Sequence, residues 1–306
     1  MKILFTGASS FTGMHIAEAL IREGHHLILT CTQSADAYTD IYAHRLQRIA
    51  PFAEVIYSTP QGSDRFLEVV QQQKPDILCS HGAYTVNYRQ PDFDIATAYA
   101  QDTLHLPLLF DTLRRIGCNK IIYTGSIFAG HGSFQKNIPF SPYGLGKRIT
   151  SETFHFYGSM YGIDVSTFVI SNPFGELDNR KMLHIFGEMW KQGKRPHLTV
   201  ANYIRDNIHV ELLAQCYAFW VQEIMKENHS HIFAPSGYRL SMQKFTELFA
   251  TEMRLRLGWA CEFQSSDAST EVQPLELLHD FSATNCVPTW NPTVFWDRLA
   301  EDILHR

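Results

Sequence analysis

No Cys-x-x-Cys pair occurs among the 306 residues. The six cysteines (Cys31, Cys79, Cys118, Cys216, Cys261 and Cys286) are scattered, which excludes a zinc ribbon, argues against a disulfide framework and fits a reducing cytosol. No apolar run reaches the ~20 residues that a membrane-spanning helix needs. No cationic segment or cleavage site stands ahead of the opening MKILFTG, so a cytoplasmic chain without a membrane partner is expected. No block of like charge is present. With a net charge of −5, nucleic-acid or membrane-surface binding has no compositional support. There are fifteen histidines but no His-Glu-x-x-His pattern. Adjacent His25 and His26, and His229 and His231 two apart, read as solvated or hydrogen-bonded side chains, and no metal is expected. Internal repeats and low-complexity linkers are also missing. What remains is a chain of 45% hydrophobic composition, ample for one large domain or two coupled ones.

The N-terminus carries a pattern with a physical purpose. Lys2-Ile-Leu-Phe-Thr6 reads as a buried strand, Gly7-Ala-Ser-Ser-Phe-Thr-Gly13 as a turn, and Met14, Ile16, Ala17, Leu20 and Ile21 recur at helical spacing before Gly24. Strand, glycine-bearing turn and helix in this order form the first half of a dinucleotide-binding unit, in which backbone N–H groups at a helix N-terminus meet a pyrophosphate. Gly7, Ser9, Ser10, Phe11, Thr12 and Gly13 are the candidate contacts. Further strands are expected at 26–31, 54–57, 77–80, 120–123 and 165–170, with helices near 12–22, 35–49, 63–73, 92–116 and 142–161. Pro107 is expected to kink the fourth helix. This alternation predicts a doubly wound parallel sheet. Beyond Asn172-Pro-Phe-Gly175 the pattern changes to helices near 180–192, 207–226 and 241–256 and a strand at 231–234. The Gly130–Pro142 stretch reads as a loop that either borders a substrate site or is a surface turn.

Tyr143 and Lys147 lie four residues apart at the start of an expected helix and so share one face. An ammonium beside a phenol favours the phenolate, which makes the pair a candidate acid/base for a proton on an alcohol or ketone oxygen.

Four motifs together resemble the extended short-chain dehydrogenase/reductases, the group of nucleotide-sugar epimerases, dehydratases and reductases. Thr6-Gly-Ala-Ser-Ser-Phe-Thr-Gly13 is similar to TGxxGxxG, with Ser10 in place of the middle glycine. Asp76-Ile-Leu-Cys-Ser-His-Gly-Ala83 resembles the strand and turn that line the cofactor, which adds Ser80, His81, Gly82 and Ala83 as contacts. Tyr123-Thr-Gly-Ser126 with Tyr143 and Lys147 resembles the catalytic set. Tyr203-Ile-Arg-Asp-Asn-Ile-His-Val210 resembles RDxIHV of the nucleotide-sugar branch.

The resemblance implies an α/β fold: a doubly wound parallel Rossmann-type sheet over 1–172, and a smaller α/β substrate-binding portion over 173–306, with the sharing of strands between the two left open. It implies Tyr143 as general acid/base and Lys147 as the group that lowers its pKa and holds the nicotinamide ribose. Ser126 would bond the reacting oxygen, with Thr124 as competitor, and Asn172 and Arg205 would hold a nucleotide-sugar. Dehydratases of this kind place Asp-Glu after the catalytic hydroxyl. Here Ile127 and Phe128 stand there and cannot transfer protons, so redox at a carbinol remains. A 4-keto reductase leads, ahead of a C4 epimerase with retained cofactor and a non-catalytic NADP-binding sensor. The neutral run Thr30-Cys-Thr-Gln-Ser34 makes Thr32 and Ser34 candidate ribose contacts and favours NADP over NAD, since no acid repels a 2′-phosphate. No arginine occupies this turn; Arg45 and Arg48 of the next helix either reach back to it or, as the favoured reading has it, are solvated at the surface. A homodimer through the 92–116 and 142–161 helices is expected.

Overall fold

The apolar runs and the segments between them alternate along the chain as β1 (Lys2–Thr6), α1 (Phe11–Arg22), β2 (His26–Thr30), α2 (Asp40–Ile49), β3 (Glu54–Ile56), α3 (Asp64–Gln73), β4 (Ile77–Ser80), α4 (Ile95–Asp102), α5 (Leu106–Ile116), β5 (Lys120–Ser126), α6 (Pro142–Tyr161) and β6 (Asp164–Ile170). This is a computed structural model, and it describes residues 1–130, 138–179, 181–226, 231–268, 273–279 and 281–305. The chain continues through β7 (Asn172–Phe174), α7 (Met182–Lys191), β8 (His197–Leu198), β9 (Ile204–His209), α8 (Val210–Glu223), β10 (Ile232–Phe233), β11 (Pro235–Ser236), β12 (Tyr238–Ser241), α9 (Met242–Leu257), β13 (Gln264–Ser265), β14 (Glu276–Leu277), β15 (Phe281–Ser282) and α10 (Thr293–His305).

Seven parallel strands pair in the order β10-β6-β5-β4-β1-β2-β3. That is the Rossmann order 3-2-1-4-5-6 with β10 added at one edge, and the direction of progression reverses between β1 and β4. Ile3, Leu4 and Phe5 of β1 have no exposed surface, because helices cover both faces. Met14, Ile16 and Leu20 of α1 pack with Leu213, Tyr217 and Val221 of α8 on one face. Phe66 of α3, Leu109 and Phe110 of α5 and Phe154 of α6 fill the other. A third core joins Phe186 and Trp190 of α7, Phe245 and Phe249 of α9, and Trp296 and Leu299 of α10. There β9 pairs antiparallel with β12 and parallel with β7 and β14, so Asn172 lies opposite Asn207.

The structure redraws several elements. The 92–116 helix is two helices, broken at Thr103–His105, where His105 takes a left-handed backbone (φ 50°) and its Nδ1 meets the Gly62 carbonyl at 3.0 Å. Pro107 therefore sits in the first turn of α5, where its missing N–H costs nothing, and kinks no helix. Residues 35–37 form a separate 3₁₀ turn ahead of α2. Residues 207–209 belong to β9, because strands pair along both of its edges, and the helix starts at Val210. The reading assigned no helix after 256, yet Trp296, Leu299, Ala300 and Ile303 of α10 are buried at helical spacing. Residues 131–137 of the Gly130–Pro142 loop, and His229, lie outside the described residues. Among the described residues no helix is long and apolar enough to cross a membrane.

Candidate active site

A cleft of about 1150 Å³ opens at the C-terminal ends of β1, β4 and β5, beside the point where the strand order reverses. In open α/β sheets that crevice is where ligands bind. Its floor depends on two backbones that nearly touch. A Cβ on Gly7 (φ +77°) would lie 2.7 Å from Gly82 N, and one on Gly13 would lie 2.1 Å from the Gly7 carbonyl oxygen. Only glycine fits either place. The Thr6 hydroxyl accepts from the amides of His81 (3.0 Å) and Gly82 (2.8 Å), which locks β1 to the turn after β4. Ser10 caps α1, its Oγ accepting from Gly13 N at 3.0 Å.

Of the expected cofactor residues, Gly7, Ser9, Ser10, Thr12, Thr32, His81, Gly82, Ala83, Tyr143 and Lys147 line this cleft, and Phe11, Gly13, Ser34 and Ser80 do not. Phe11 is buried beneath Arg45 and Lys181, whose charges lie 5.9 and 5.1 Å from its ring centroid. Gly13 is packed against Gly7, and Ser34 precedes the exposed 3₁₀ turn. Ser80 donates to Gln61 Oε1 at 2.9 Å, and it is Gln61 that faces the cleft.

Arg45, weighed from sequence as a partner for a 2′-phosphate, has no exposed surface. Its guanidinium donates to the carbonyls of Leu177 and Ser9 and to Asn179, tying the phosphate turn to the 177–179 segment. Arg48 is held by Glu18 and Glu176. Neither cation is available to the β2 turn, where Tyr38 Oη accepts from Gln33 N instead.

On the other wall, Ser126, Thr124, Tyr143 and Lys147 all face the cleft. The Thr124 hydroxyl is buried and engaged by His81 Nδ1 at 3.1 Å. Ser126 is half-buried, and its Oγ accepts from Phe128 N at 3.2 Å. Ser141 Oγ caps α6 through Gly144 N, so Tyr143 and Lys147 lie within the first two turns of one helix. The Tyr143 ring is wedged edge-on against Tyr88 (5.2 Å), Phe93 (5.6 Å) and Phe128 (6.3 Å). Lys147 is buried, with Nζ 4.3 Å from the centre of the Tyr123 ring.

One cleft residue went unread in the sequence. Asp102 ends α4 and accepts from Tyr84 N at 2.9 Å. Burial pulls the Lys147 ammonium down to about 8, and Asp102 offsets part of that. Burial, then Asp102 and Tyr88, push the Tyr143 phenol above its ordinary value. The expectation that Lys147 lowers the Tyr143 pKa is thus not met by the protein alone, because burial dominates and the ammonium lies against the Tyr123 ring. Removing the Asp102 charge relieves Tyr143 of a neighbouring anion. In Asp102→Asn, therefore, the pH–rate limb that reports Tyr143 ionisation should move to lower pH; an unmoved or raised limb would show that Asp102 does not act on it.

Asn172 lines the cleft and donates to Asn207 Oδ1. Arg205 does not reach the cleft. Its guanidinium lies 4.4 Å from the centre of the Tyr203 ring and donates to the carbonyls of Ile204 and Leu275 and to Gln273. Among the described residues no carboxylate pairs with it, and burial lowers it to about 10. His15, Glu176 and Glu211 place one ligand atom each within 4.8 Å of one another, and none of the three lines the cleft. Glu176 is bonded by Arg48 at 2.7 Å, which already supplies its counter-charge.

The family model described as the NAD dependent epimerase/dehydratase family matches residues 3–234. A putative UDP-glucose 4-epimerase from Methanocaldococcus jannaschii is 24% identical over 239 residues, covering 73% of this chain and 75% of that one. Among solved structures, UDP-glucuronic acid 4-epimerase from Bacillus cereus in complex with UDP-glucuronic acid and NAD superposes with a TM-score of 0.77 at 16% identity, covering 100% of this chain and 99% of that one. UDP-glucose 4-epimerase from Thermotoga maritima with UDP-glucose superposes at 0.76 and 17% identity, with the same coverage.

Proposed function

This chain belongs to the NAD dependent epimerase/dehydratase family, in the nucleotide-sugar branch of the extended short-chain dehydrogenases/reductases, and on that premise we propose that it is a nucleotide-sugar C4 epimerase that retains NAD through its cycle. The observation that carries this reading is a cleft lined by Tyr143, Ser126 and Lys147 together, while Ile127 and Phe128 occupy the places where a dehydratase needs acids. Inversion of a carbinol through a ketone needs one acid/base; loss of water from neighbouring carbons needs more. The 4-keto reductase, which led on sequence, yields to the epimerase because the relative and the superposed structures above are 4-epimerases.

Gly7, Ser10, Thr12 and the start of α1 would hold the pyrophosphate, and Lys147 the ribose. A nicotinamide held there would supply the hydride acceptor and donor that inversion at the carbinol carbon needs. Tyr143 removes the hydroxyl proton and later gives it back, and Ser126 steadies the oxygen as charge builds. An oxidised cofactor would add a positive ring to the charge of Lys147 in this cleft, and both favour an ionised Tyr143. Incubation with UDP-glucose or UDP-glucuronic acid, followed by NMR of the sugar, should give a 4-epimer without net NADH change; stoichiometric NADH consumption on a keto-sugar would return the reductase.

NAD is carried forward as cofactor. The NADP expectation rested on the missing acid at the β2 turn, and with Arg45 and Arg48 both engaged no free guanidinium there attracts a 2′-phosphate. NADH and NADPH should bind within about tenfold of each other by calorimetry, since a single charged hydrogen bond is worth ~1.5–3 kcal/mol. A larger gap in favour of NADPH would reinstate NADP.

The 173–306 portion is proposed to hold the nucleotide-sugar. Asn172, which lines the cleft, is assigned to the phosphate side of the substrate. Arg205, outside the cleft and with no carboxylate partner among the described residues, is assigned to the substrate diphosphate on condition that its guanidinium exchanges its bonds to the Ile204 and Leu275 carbonyls for the ligand. Arg205→Met should raise KM by roughly tenfold or more while NAD affinity stays intact; an unchanged KM on an identified substrate removes the assignment. A homodimer is proposed through α5 and α6, where Leu108, Leu145, Ile149, Phe156 and Met160 are exposed, as is Leu104 just ahead of α5. Leu109 and Phe154 of the same helices are core residues instead. Light scattering at twice 35.1 kDa is the expected result, and the monomer mass would refute it.

A further inference from the structure

Ser10 stands where the glycine fingerprint has its middle glycine, and the structure shows what its hydroxyl meets. His81 lies under the phosphate turn, stacked on Phe5 of β1 with ring centroids 5.3 Å apart. Its Nε2 is 3.0 Å from Thr12 Oγ1 and 3.3 Å from Ser10 Oγ, and its Nδ1 is 3.1 Å from Thr124 Oγ1. One imidazole thus touches two hydroxyls of the phosphate turn, those of Ser10 and Thr12, on one side and the catalytic strand on the other. Both Ser10 and Thr12 face the cleft.

We propose that His81 is a positioning residue that sets the direction of the hydrogen bonds in this turn. As the Nε2–H tautomer it donates to the Ser10 and Thr12 oxygens, and these hydroxyls then present both their protons to a dinucleotide's diphosphate. The inference rests on reading the cleft as a dinucleotide site.

The argument is a count of donors and acceptors. Burial, reinforced by Lys147, holds His81 down to about 3, so across working pH the ring carries one N–H and one bare nitrogen. A diphosphate offers only acceptors. Were Nε2 bare, it would draw a proton from Ser10 or Thr12 and take it away from the ligand. With Nε2 protonated, Ser10 Oγ accepts from His81 and from Gly13 N, which fills both lone pairs and leaves its O–H free for the cleft. Nδ1 then accepts from the Thr124 hydroxyl. That commits Thr124 and leaves Ser126, two residues on, as the hydroxyl available to a reacting oxygen.

The experiment measures binding by the full chain freed of nucleotide, using ADP-ribose, which carries the diphosphate, and adenosine, which does not. His81→Leu should weaken ADP-ribose about tenfold, the order expected for hydrogen bonds to a charged group, and leave adenosine within about twofold. His81→Gln places an amide N–H near the Nε2 position and should restore ADP-ribose to within about threefold. His81→Asn reaches only the Nδ1 side and should not. In the unmutated protein with ADP-ribose, nitrogen-15 NMR should find the proton on Nε2. The proposal is overturned if His81→Leu binds ADP-ribose normally, if its loss falls equally on adenosine, if Asn rescues as well as Gln, or if the proton is on Nδ1. None of these readouts requires turnover, so this proposal and the epimerase assignment stand or fall separately.

Discussion

Tyr143→Phe should lower kcat by ~10²–10⁴, the usual share of general acid/base catalysis, while NAD affinity changes little. The substitution removes one oxygen and keeps the ring that packs against Tyr88, Phe93 and Phe128. The fold around it should therefore survive, and the loss should be chemical. Burial and Asp102 hold the hydroxyl protonated, which suits the step that returns a proton to the sugar oxygen. The opposite step is the harder one, so removing the hydroxyl should hit kcat rather than KM. Turnover of an identified nucleotide-sugar is the measurement. A variant within threefold of the parent would mean that another group carries the proton, and the proposed mechanism would fall even though the fold assignment would not.

Lys147→Met should damage two things at once. It should weaken NAD binding by about tenfold to a hundredfold, the scale of a charged hydrogen bond of ~1.5–3 kcal/mol, and cut kcat besides. Methionine nearly matches the lysine stem in volume, so the packing of the stem is largely kept while the contact of the ammonium with the Tyr123 ring is lost. The positive charge goes, and with it the group that offsets Asp102 in the same cleft. Asp102 is then a half-buried carboxylate with one backbone hydrogen bond and without the cation that acted on it, so Asp102→Asn combined with Lys147→Met should be milder in thermal stability than Lys147→Met alone. Fluorescence titration with NADH reads the binding, and unchanged affinity would take Lys147 out of the cofactor site.

Much of this site was legible because its pieces are local. The spacing of Tyr143 and Lys147 is a property of one helix, and the Gly7–Gly13 turn is a property of one strand–helix junction. Helix boundaries were less secure. The break at His105 depends on a bond to Gly62, 43 residues away, and the strand at 204–209 depends on partners along both edges. A short apolar run reads equally well as helix or strand until its neighbours are known.

The sequence by itself determined the strand–helix alternation of the first 170 residues, the phosphate turn with its unusual Ser10, and the placing of Tyr143 and Lys147 on one helix. The tertiary structure alone decided which other side chains share the cleft. His81 meets Ser10 across 71 residues and Thr124 across 43, and Arg45 meets Leu177 across 132. Asp102 comes from the end of a helix that no motif marks, and the same folding withdraws Arg45 from the β2 turn and Arg205 from the cleft. The physical reason lies in how the two kinds of contact are specified. Helical neighbours follow from a fixed rise and turn per residue, whereas groups at the ends of separate strands meet only once sheet order and register place them side by side.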